Sequence, residues 1–218
     1  MLVMNIEALD WSVVIAGYWN QAILTPAGIA YRLFKKPKDT PVQVEIPLDG
    51  IAPYRVRDGS IIIMAQPKRL HIIAEPPCYE NLERALQIAS VALTELPETP
   101  VQAAGFNIIY QIEDMPEIIL KYIASEIDEA ISDRKYQIST RVLKRSINWL
   151  QGKLNLEITC DEKSLGIVSL NFERESNNIK DLIEWVNTPI ETIKNTTLDI
   201  FEKVLMLPTQ EALHEKSN

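Results

Sequence analysis

The sequence of residues 60–75, SIIIMAQPKRLHIIAE, contains two apolar segments of strand length joined by a short polar turn, which predicts a β-hairpin. An amphipathic helix is predicted directly after it, over residues 81–96, because leucine and alanine recur at steps of three and four. The same order returns later, with a hairpin predicted over residues 154–173 and a helix over residues 179–207. The repetition predicts an α+β protein made of two related hairpin–helix subdomains around a mainly antiparallel sheet.

Other patterns in the first half predict further strands, a helix and a loop. Strands are predicted over residues 11–17, 42–46 and 103–112. The second of these lies between prolines, which favours an edge of the sheet. Thr25 followed by Pro26 predicts the start of a helix that reaches residue 34. Residues 49–59 predict a loop, and the continuous apolar character of the first hairpin predicts burial on both faces.

In the second half, one helix is predicted over residues 116–132. Its apolar face would consist of Ile119, Tyr122, Ile123, Ile127 and Ala130. Residues 135–150 alternate like a strand, with a loop or bulge expected near residues 141–144. The cleaner alternation of the second hairpin predicts one face that is more exposed to water. Pro189 predicts a break near Asn187 in the last helix, because proline costs ~3 kcal/mol inside a helix.

No Gly/Ser-rich or low-complexity linker separates the two halves, so we expect two subdomains that share one sheet or pack closely, rather than two independent domains. The predicted division is residues 1–113 for an N-terminal α+β subdomain and residues 114–208 for a C-terminal one. Residues 209–218 are polar and predict a frayed tail.

Charge and composition restrict the partners. The chain of 218 residues has a net charge of −8, and residues 79–218 hold 23 acidic against 14 basic side chains. An acidic surface repels a phosphate backbone, which disfavours broad nucleic-acid binding. No apolar stretch reaches the ~18 residues that cross a membrane. The absence of a signal-peptide pattern, together with two cysteines only, Cys78 and Cys160, predicts a cytoplasmic protein.

Residue sets that support catalysis are sparse. The two histidines are His71, in an apolar strand, and His214, in the predicted tail. No nucleophile elbow, phosphate-binding loop, EF-hand or Cys/His metal motif is present, so no catalytic residue, metal site or cofactor is predicted. One enzymatic alternative stays open, in which carboxylates such as Asp128 and Glu129 bind a metal and act on phosphate or nucleic-acid substrates. A solvated helix face accounts for the same carboxylates.

Two groups of side chains are candidates for binding. The first is a loop of aromatic and amide side chains, Tyr18, Trp19, Asn20 and Gln21. The same amides could instead satisfy backbone groups of a buried connection. The second is a basic group in which Arg141 and Arg145 would share one face of a strand. This group could meet an acidic partner or a nucleic-acid end, or it could be a solvated edge that discourages strand aggregation.

Two segments carry a family resemblance. They are the Asn-x-x-Ile-Leu-Thr-Pro run of residues 20–26, within residues 11–26, and LPETPVQAAGFN of residues 96–107. Together they resemble a sporadically distributed family of small, functionally uncharacterised bacterial proteins, mainly over the first half of the chain. The resemblance implies a bacterial or phage-related cytoplasmic protein and a mobile-element or defence setting. It implies no catalytic residue.

Three hypotheses follow. The preferred one is a non-enzymatic protein-binding or scaffold protein that has a protein partner or forms a homo-oligomer, since catalytic sets are missing and amphipathic elements are many. The carboxylate- and metal-dependent enzyme is the first alternative. The second is a receptor for a small ligand or peptide that uses the loop from Tyr18 to Thr25.

Overall fold

The computed structural model describes residues 5–38, 40–48 and 53–207. Within these residues, nine strands form a single sheet in which all neighbouring strands are antiparallel. The strands are β1 (Ile6–Gly17), β2 (Gln43–Glu45), β3 (Arg55–Asp58), β4 (Ile61–Gln66), β5 (Arg69–Ala74), β6 (Val101–Ile112), β7 (Thr140–Trp149), β8 (Gly152–Asp161) and β9 (Gly166–Glu175). Their order in the sheet is β2-β3-β4-β5-β1-β6-β9-β8-β7. The predicted α+β class is confirmed.

Helices cover one face of this sheet. They are α1 (Pro26–Arg32), α2 (Tyr79–Glu95), α3 (Glu117–Ile123), α4 (Glu126–Asp133), α5 (Ile179–Val186) and α6 (Ile190–Asp199), which continues as a π-helical turn over Ile200–Val204. No helix in the described part of the chain is long and apolar enough to cross a membrane.

The strand order has an approximate two-fold symmetry. Strands β3-β4-β5-β1 fill one half of the sheet, and β7-β8-β9-β6 fill the other half in mirrored sequence. Each half therefore consists of one long strand, a three-stranded meander and a helix, and the halves meet where β1 pairs with β6. The repeated unit is larger than the predicted hairpin and helix. The division at residues 113/114 stays a prediction, although in this order β6 is the first strand of the second unit.

The helix-covered face holds the core, and its composition differs between the halves. In the first half the largest group is aliphatic, with Ile15, Ile61, Ile63, Leu70 and Ile72 fully buried. In the second half four aromatic rings pack together, and the centroids of the contacting rings are no more than 6.2 Å apart. They are Phe106, Trp149, Phe172 and Trp185. Each ring also buries a large apolar area, so both halves contribute to one continuous core.

Local sequence signals explain several boundaries. The Thr25 side chain accepts a hydrogen bond from the Gly28 N–H at 3.1 Å, and Pro26 is the first residue of α1, as predicted. Asn178 caps α5 by accepting from the Lys180 N–H. The helix predicted over residues 179–207 is divided ahead of Pro189 into α5 and α6, which confirms the predicted break. The predicted edge strand is also confirmed, because β2 lies at one end of the sheet.

Some predictions for individual elements are wrong. The predicted loop over residues 49–59 contains β3, whose short Arg55–Asp58 segment has too few apolar residues to be found by alternation. The helix predicted over residues 116–132 is divided where Ala124 has an extended backbone, with ψ of 150°. Helix α4 has no buried residue, and Ile127, expected on its apolar face, is 62% exposed. Residues 49–52 and the predicted tail lie outside the described residues.

Two further predictions concern the hairpins. No bulge interrupts β7, since its pairing with β8 is continuous from Thr140 to Trp149, so the interruption expected near residues 141–144 is wrong. In the first hairpin both strands are fully buried on one face only. On the other face Ile62 of β4 is buried, but Met64, Gln66 and His71 are half-buried and Arg69 is exposed, so the predicted burial on both faces holds only in part. The second hairpin alternates between buried and less buried residues, as predicted.

A row of polar side chains crosses the sheet face opposite the helices. Every member lies directly opposite the next in the strand pairing, and each of the first four donates to the member after it over 2.8–3.3 Å. In order from β7 to β1 the row is Ser146, Asn155, Asn171, Asn107 and Ser12. The amides satisfy one another in this half-buried position, which removes the cost of leaving them unpaired. In the first half the same row continues with Ile73 and Ile62.

Candidate functional site

Strand β7 is a long strand at the edge of the sheet. Among the described residues its ten residues pair with β8 alone, and no strand pairs with its outer side. Over the ranges that the structure describes, no backbone hydrogen bond joins its outer edge to another segment. An edge of this kind presents unpaired N–H and C=O groups to which a further strand can pair. This is the most distinctive exposed surface of the molecule.

The side chains of β7 add apolar and basic character to this edge on both faces. Trp149 packs in the core, so Arg145 and Ile147 lie on the helix-covered side, whereas Val142 and Lys144 lie on the opposite side. Val142 is 50% exposed and Ile147 is 38% exposed. Exposed β-branched residues next to cations suit contact with an added strand better than contact with water alone.

The three cations of β7 have different partners. Arg141 Nε lies 2.6 Å from an Asp128 carboxylate oxygen in α4, so this arginine is engaged locally. Lys144 Nζ lies 2.8 Å from Glu157 on β8 while its side chain stays 70% exposed. Arg145 donates to the Lys144 carbonyl oxygen at 2.8 Å and has no carboxylate partner in the described residues. Lys144 and Arg145 are therefore the accessible charges of the edge.

The predicted pair of Arg141 and Arg145 is placed on one face by the uninterrupted strand. The two arginines do not act as a pair, however, because α4 neutralises Arg141. Lys144 on the opposite face is the nearer companion of Arg145 at the exposed edge. The basic group thus extends over both faces of β7 and does not form a patch on one of them.

The loop predicted to bind a ligand serves largely to hold its own backbone. Trp19 is buried and donates its ring N–H to the Ile15 carbonyl oxygen at 3.1 Å. The Asn20 side-chain oxygen accepts from the Ala22 N–H at 3.0 Å. The Gln21 amide reaches the Trp19 carbonyl oxygen at 3.5 Å. Of the four candidates, Tyr18 and Asn20 are exposed.

Two clefts lie beside this loop, one on each side. Tyr18 borders a cleft of about 440 Å³, together with the polar side chains of Thr99, Gln102 and Asn177. Gln21 borders a wider cleft of about 700 Å³ on the other side. That second cleft is also lined by Tyr54, Gln66, Lys68 and Arg69. The structure therefore separates the four predicted binding residues and does not bring them into one site.

The described residues contain no cluster of acidic, imidazole and thiol groups that could form a metal site. In residues 5–38, 40–48 and 53–207, no three His, Cys, Asp or Glu side chains lie close enough to hold a metal ion. Burial lowers the pKa of His71, with Asp10 opposing and Arg69 reinforcing the effect. Burial also raises the pKa of the Cys160 thiol, which disfavours the reactive thiolate. The metal-dependent alternative gains no support from this arrangement.

No protein-family model matches this chain, and no curated protein matches it. The family resemblance of the first half therefore stays a prediction. Function is inferred from the geometry of the surface alone.

The covered edge of the first half, formed by β2 and β3, is a feature that the sequence does not predict. Strand β2 covers the outer edge of β3, and Glu45 of β2 lies 3.0 Å from Arg57 of β3. The four residues of β3 carry too little alternation to predict a strand, and the surrounding proline, glycine and aspartate residues favour a loop.

Proposed function

We propose that this protein is a non-enzymatic binding module of a bacterial cytoplasmic complex, and that it binds an extended segment of a partner protein along β7. The observation that supports this most directly is the ten-residue regular edge strand with no covering segment in the described residues. Ten residues in a strand span about 33 Å, which is enough for a stable added strand. Main-chain hydrogen bonds would supply affinity, and the side chains of β7 would supply selectivity.

A selection from a displayed library of extended peptides tests this proposal. Peptides that bind are expected to slow amide hydrogen exchange in β7 and to leave exchange in α2 unchanged. Two adjacent variants, Ser146→Pro and Ile147→Pro, act as a matched pair, because only one of the two N–H groups points outward. The outward proline is tolerated at an edge, whereas the inward one removes a bond to β8.

The proline variant that keeps the wild-type unfolding temperature is expected to lose peptide binding. Peptides that bind this folded variant as tightly as wild type would contradict the proposal. So would protection from exchange that is confined to any surface other than β7.

A second candidate function is the binding of a small uncharged ligand in the cleft beside Tyr18. The cleft has a volume of about 440 Å³ and is lined by neutral polar side chains and two prolines, Pro97 and Pro100. Ligand-observed NMR against a fragment set checks this, with Tyr18→Ala as the test variant and Tyr31→Ala, an equally exposed tyrosine on α1, as the control. Hits that are insensitive to Tyr18→Ala would remove this candidate.

A further inference from the structure

The first half of the sheet shows how an edge equivalent to β7 is covered. In the two-fold arrangement β3 corresponds to β7, because each is the outermost strand of its three-stranded meander. Strand β2 adds to β3 in antiparallel fashion, with Val44 opposite Val56 and Glu45 opposite Arg55. The covering segment is therefore short and extended, and it places an acid against a basic strand.

The charges at the β2–β3 edge have a specific arrangement. Arg57 lies 3.0 Å from Glu45 on the covering strand and 2.5 Å from Glu75 at the end of the β5 segment. One cation on the outer strand is thus bonded by an inner carboxylate from the sheet and an outer carboxylate from the added strand. Both carboxylates contact the same half-buried guanidinium, which is more favourable than a single exposed pair.

Strand β7 also has cations and a carboxylate on the inner side. Lys144 is bonded by Glu157, its direct opposite on the adjacent strand β8, whereas Glu75 reaches Arg57 diagonally from beyond the end of β5. The outer carboxylate is supplied by no residue in the described chain, and Arg145 has only a backbone partner. We propose that an acidic, extended segment of a partner protein occupies the β7 edge, in antiparallel pairing as β2 does on β3. This inference rests on the proposed function and names the partner's chemistry.

The pairing geometry specifies a sequence pattern for the partner. Opposite residues in an antiparallel pair lie on the same face, so acids are required opposite Arg145 and Lys144, which are adjacent. Apolar residues are required opposite Ile147 and Val142, which are exposed on the same two faces. Because the partner runs in the opposite direction, its pattern is apolar–x–acidic–acidic–x–apolar.

A second copy of this chain fits the edge less well. Antiparallel pairing of all ten β7 residues with a second copy brings Lys144 opposite Arg145. Like charges directly opposite each other destabilise a strand pair. The basic side chains of β7 therefore disfavour pairing with a second β7 and favour pairing with an acidic segment.

A synthetic peptide with the core Val-Thr-Glu-Glu-Thr-Val tests the inference in fluorescence anisotropy with the full-length protein. The matched control peptides carry Gln-Gln or Lys-Lys in place of Glu-Glu. The Glu-Glu peptide is expected to bind about 10-fold more tightly than the Gln-Gln peptide, and to lose that advantage at high salt. The Lys-Lys peptide is expected not to bind.

Charge reversal in the protein provides the complementary test. Lys144→Glu combined with Arg145→Glu is expected to reverse the preference, so that the Lys-Lys peptide binds and the Glu-Glu peptide does not. The single variant Arg145→Glu keeps the test valid if the double variant has a lowered unfolding temperature. A folded reversed variant that still prefers the Glu-Glu peptide overturns the inference.

Hydrogen exchange separates this inference from the proposed function. Equal protection of β7 by the Glu-Glu and Gln-Gln peptides overturns the acidic pattern while the β7 binding edge stands. Protection of β7 by neither peptide, with a concentration-dependent dimer in light scattering, overturns both, because a second copy then occupies the edge.

Discussion

The two halves of the sheet share a strand order and differ in almost everything placed on it. The β1–β5 half has a mainly aliphatic core that also includes the Trp11 and Tyr79 rings, isoleucines in the open-face row and an outer strand covered by β2. The β6–β9 half has an aromatic core, an amide row on its open face and an outer strand that no described segment covers. A repeated layout can therefore keep its topology while one copy closes its own edge and the other leaves an edge for binding.

The largest expected effect on stability comes from core substitutions, which also test whether the two halves of the sheet unfold together. Phe172→Ala in the aromatic core is expected to lower the free energy of unfolding by about 3–5 kcal/mol, and Ile72→Ala in the aliphatic core by about 2–5 kcal/mol. Both residues are fully buried in one core that includes β1 and β6. Urea unfolding followed by tryptophan fluorescence and by circular dichroism should show one shared transition for each variant. Two separate transitions would show that the halves are independent.

A smaller effect is expected from the open-face row. Asn171→Ala removes the hydrogen bonds to Asn155 at 3.0 Å and to Asn107 at 2.8 Å, and leaves two half-buried amides short of a partner. We expect a loss of about 1–3 kcal/mol in urea unfolding. Ile73→Val, in the same row of the first half, serves as the comparison and is expected to cost no more than about 0.5–1.5 kcal/mol. A larger loss for Ile73→Val would mean that the amides contribute little.

The hairpin turns next to the two outer strands share a positive φ at their first residue but have a different residue type there. Gly59, between β3 and β4, has φ of 57°, and Leu150, between β7 and β8, has φ of 48°. A side chain costs about 1–2 kcal/mol in this left-handed conformation. Thermal unfolding should show Gly59→Ala destabilised by about 1 kcal/mol and Leu150→Gly stabilised by less than about 1 kcal/mol. Destabilisation by Leu150→Gly would show that the exposed leucine makes a contact that outweighs the strain.

The smallest expected effect is a pH dependence of stability that arises from His71 in the first half of the sheet. Burial lowers the pKa of His71, with Arg69 and Arg55 adding to the shift and Asp10 opposing it. The unfolded chain therefore binds a proton at higher pH than the folded chain, so stability falls as pH drops from about 6.5 toward the folded pKa. Urea unfolding at several pH values should show this slope in wild type and a flatter one in His71→Gln. If His71→Gln leaves the slope unchanged, the pH dependence of stability comes from carboxylates instead of His71.

Much of the layout could be predicted because the decisive patterns are local. The alternation in β8 and β9, the Thr25–Pro26 helix start and the Pro189 break each depend on residues within a few positions of one another. The duplication was visible for the same reason. Strand β3 was missed because four residues between turn formers carry too little periodicity, and only pairing with β2 and β4 makes them a strand.

The candidate site could be predicted only in part. The basic residues of β7 were identified, but their relation to the sheet edge depends on strand order, which no local pattern contains. The same holds for Arg141, whose neutralisation by Asp128 follows from where α4 packs. The composition of the aromatic and amide loop predicts a binding site. In the structure, however, the Trp19 ring and the Asn20 amide form hydrogen bonds with backbone groups.

The amide row has a consequence for errors in strand pairing. Alternation of apolar residues rejects a slip of one position, since such a slip would expose Phe172 and bury Asn171. A slip of two positions keeps each side chain on its own face, so hydrophobicity alone would tolerate it. That slip separates Asn155, Asn171 and Asn107, which now form one continuous line of donors and acceptors. The row thus distinguishes the native alignment from a two-residue slip, which the apolar core alone would accept.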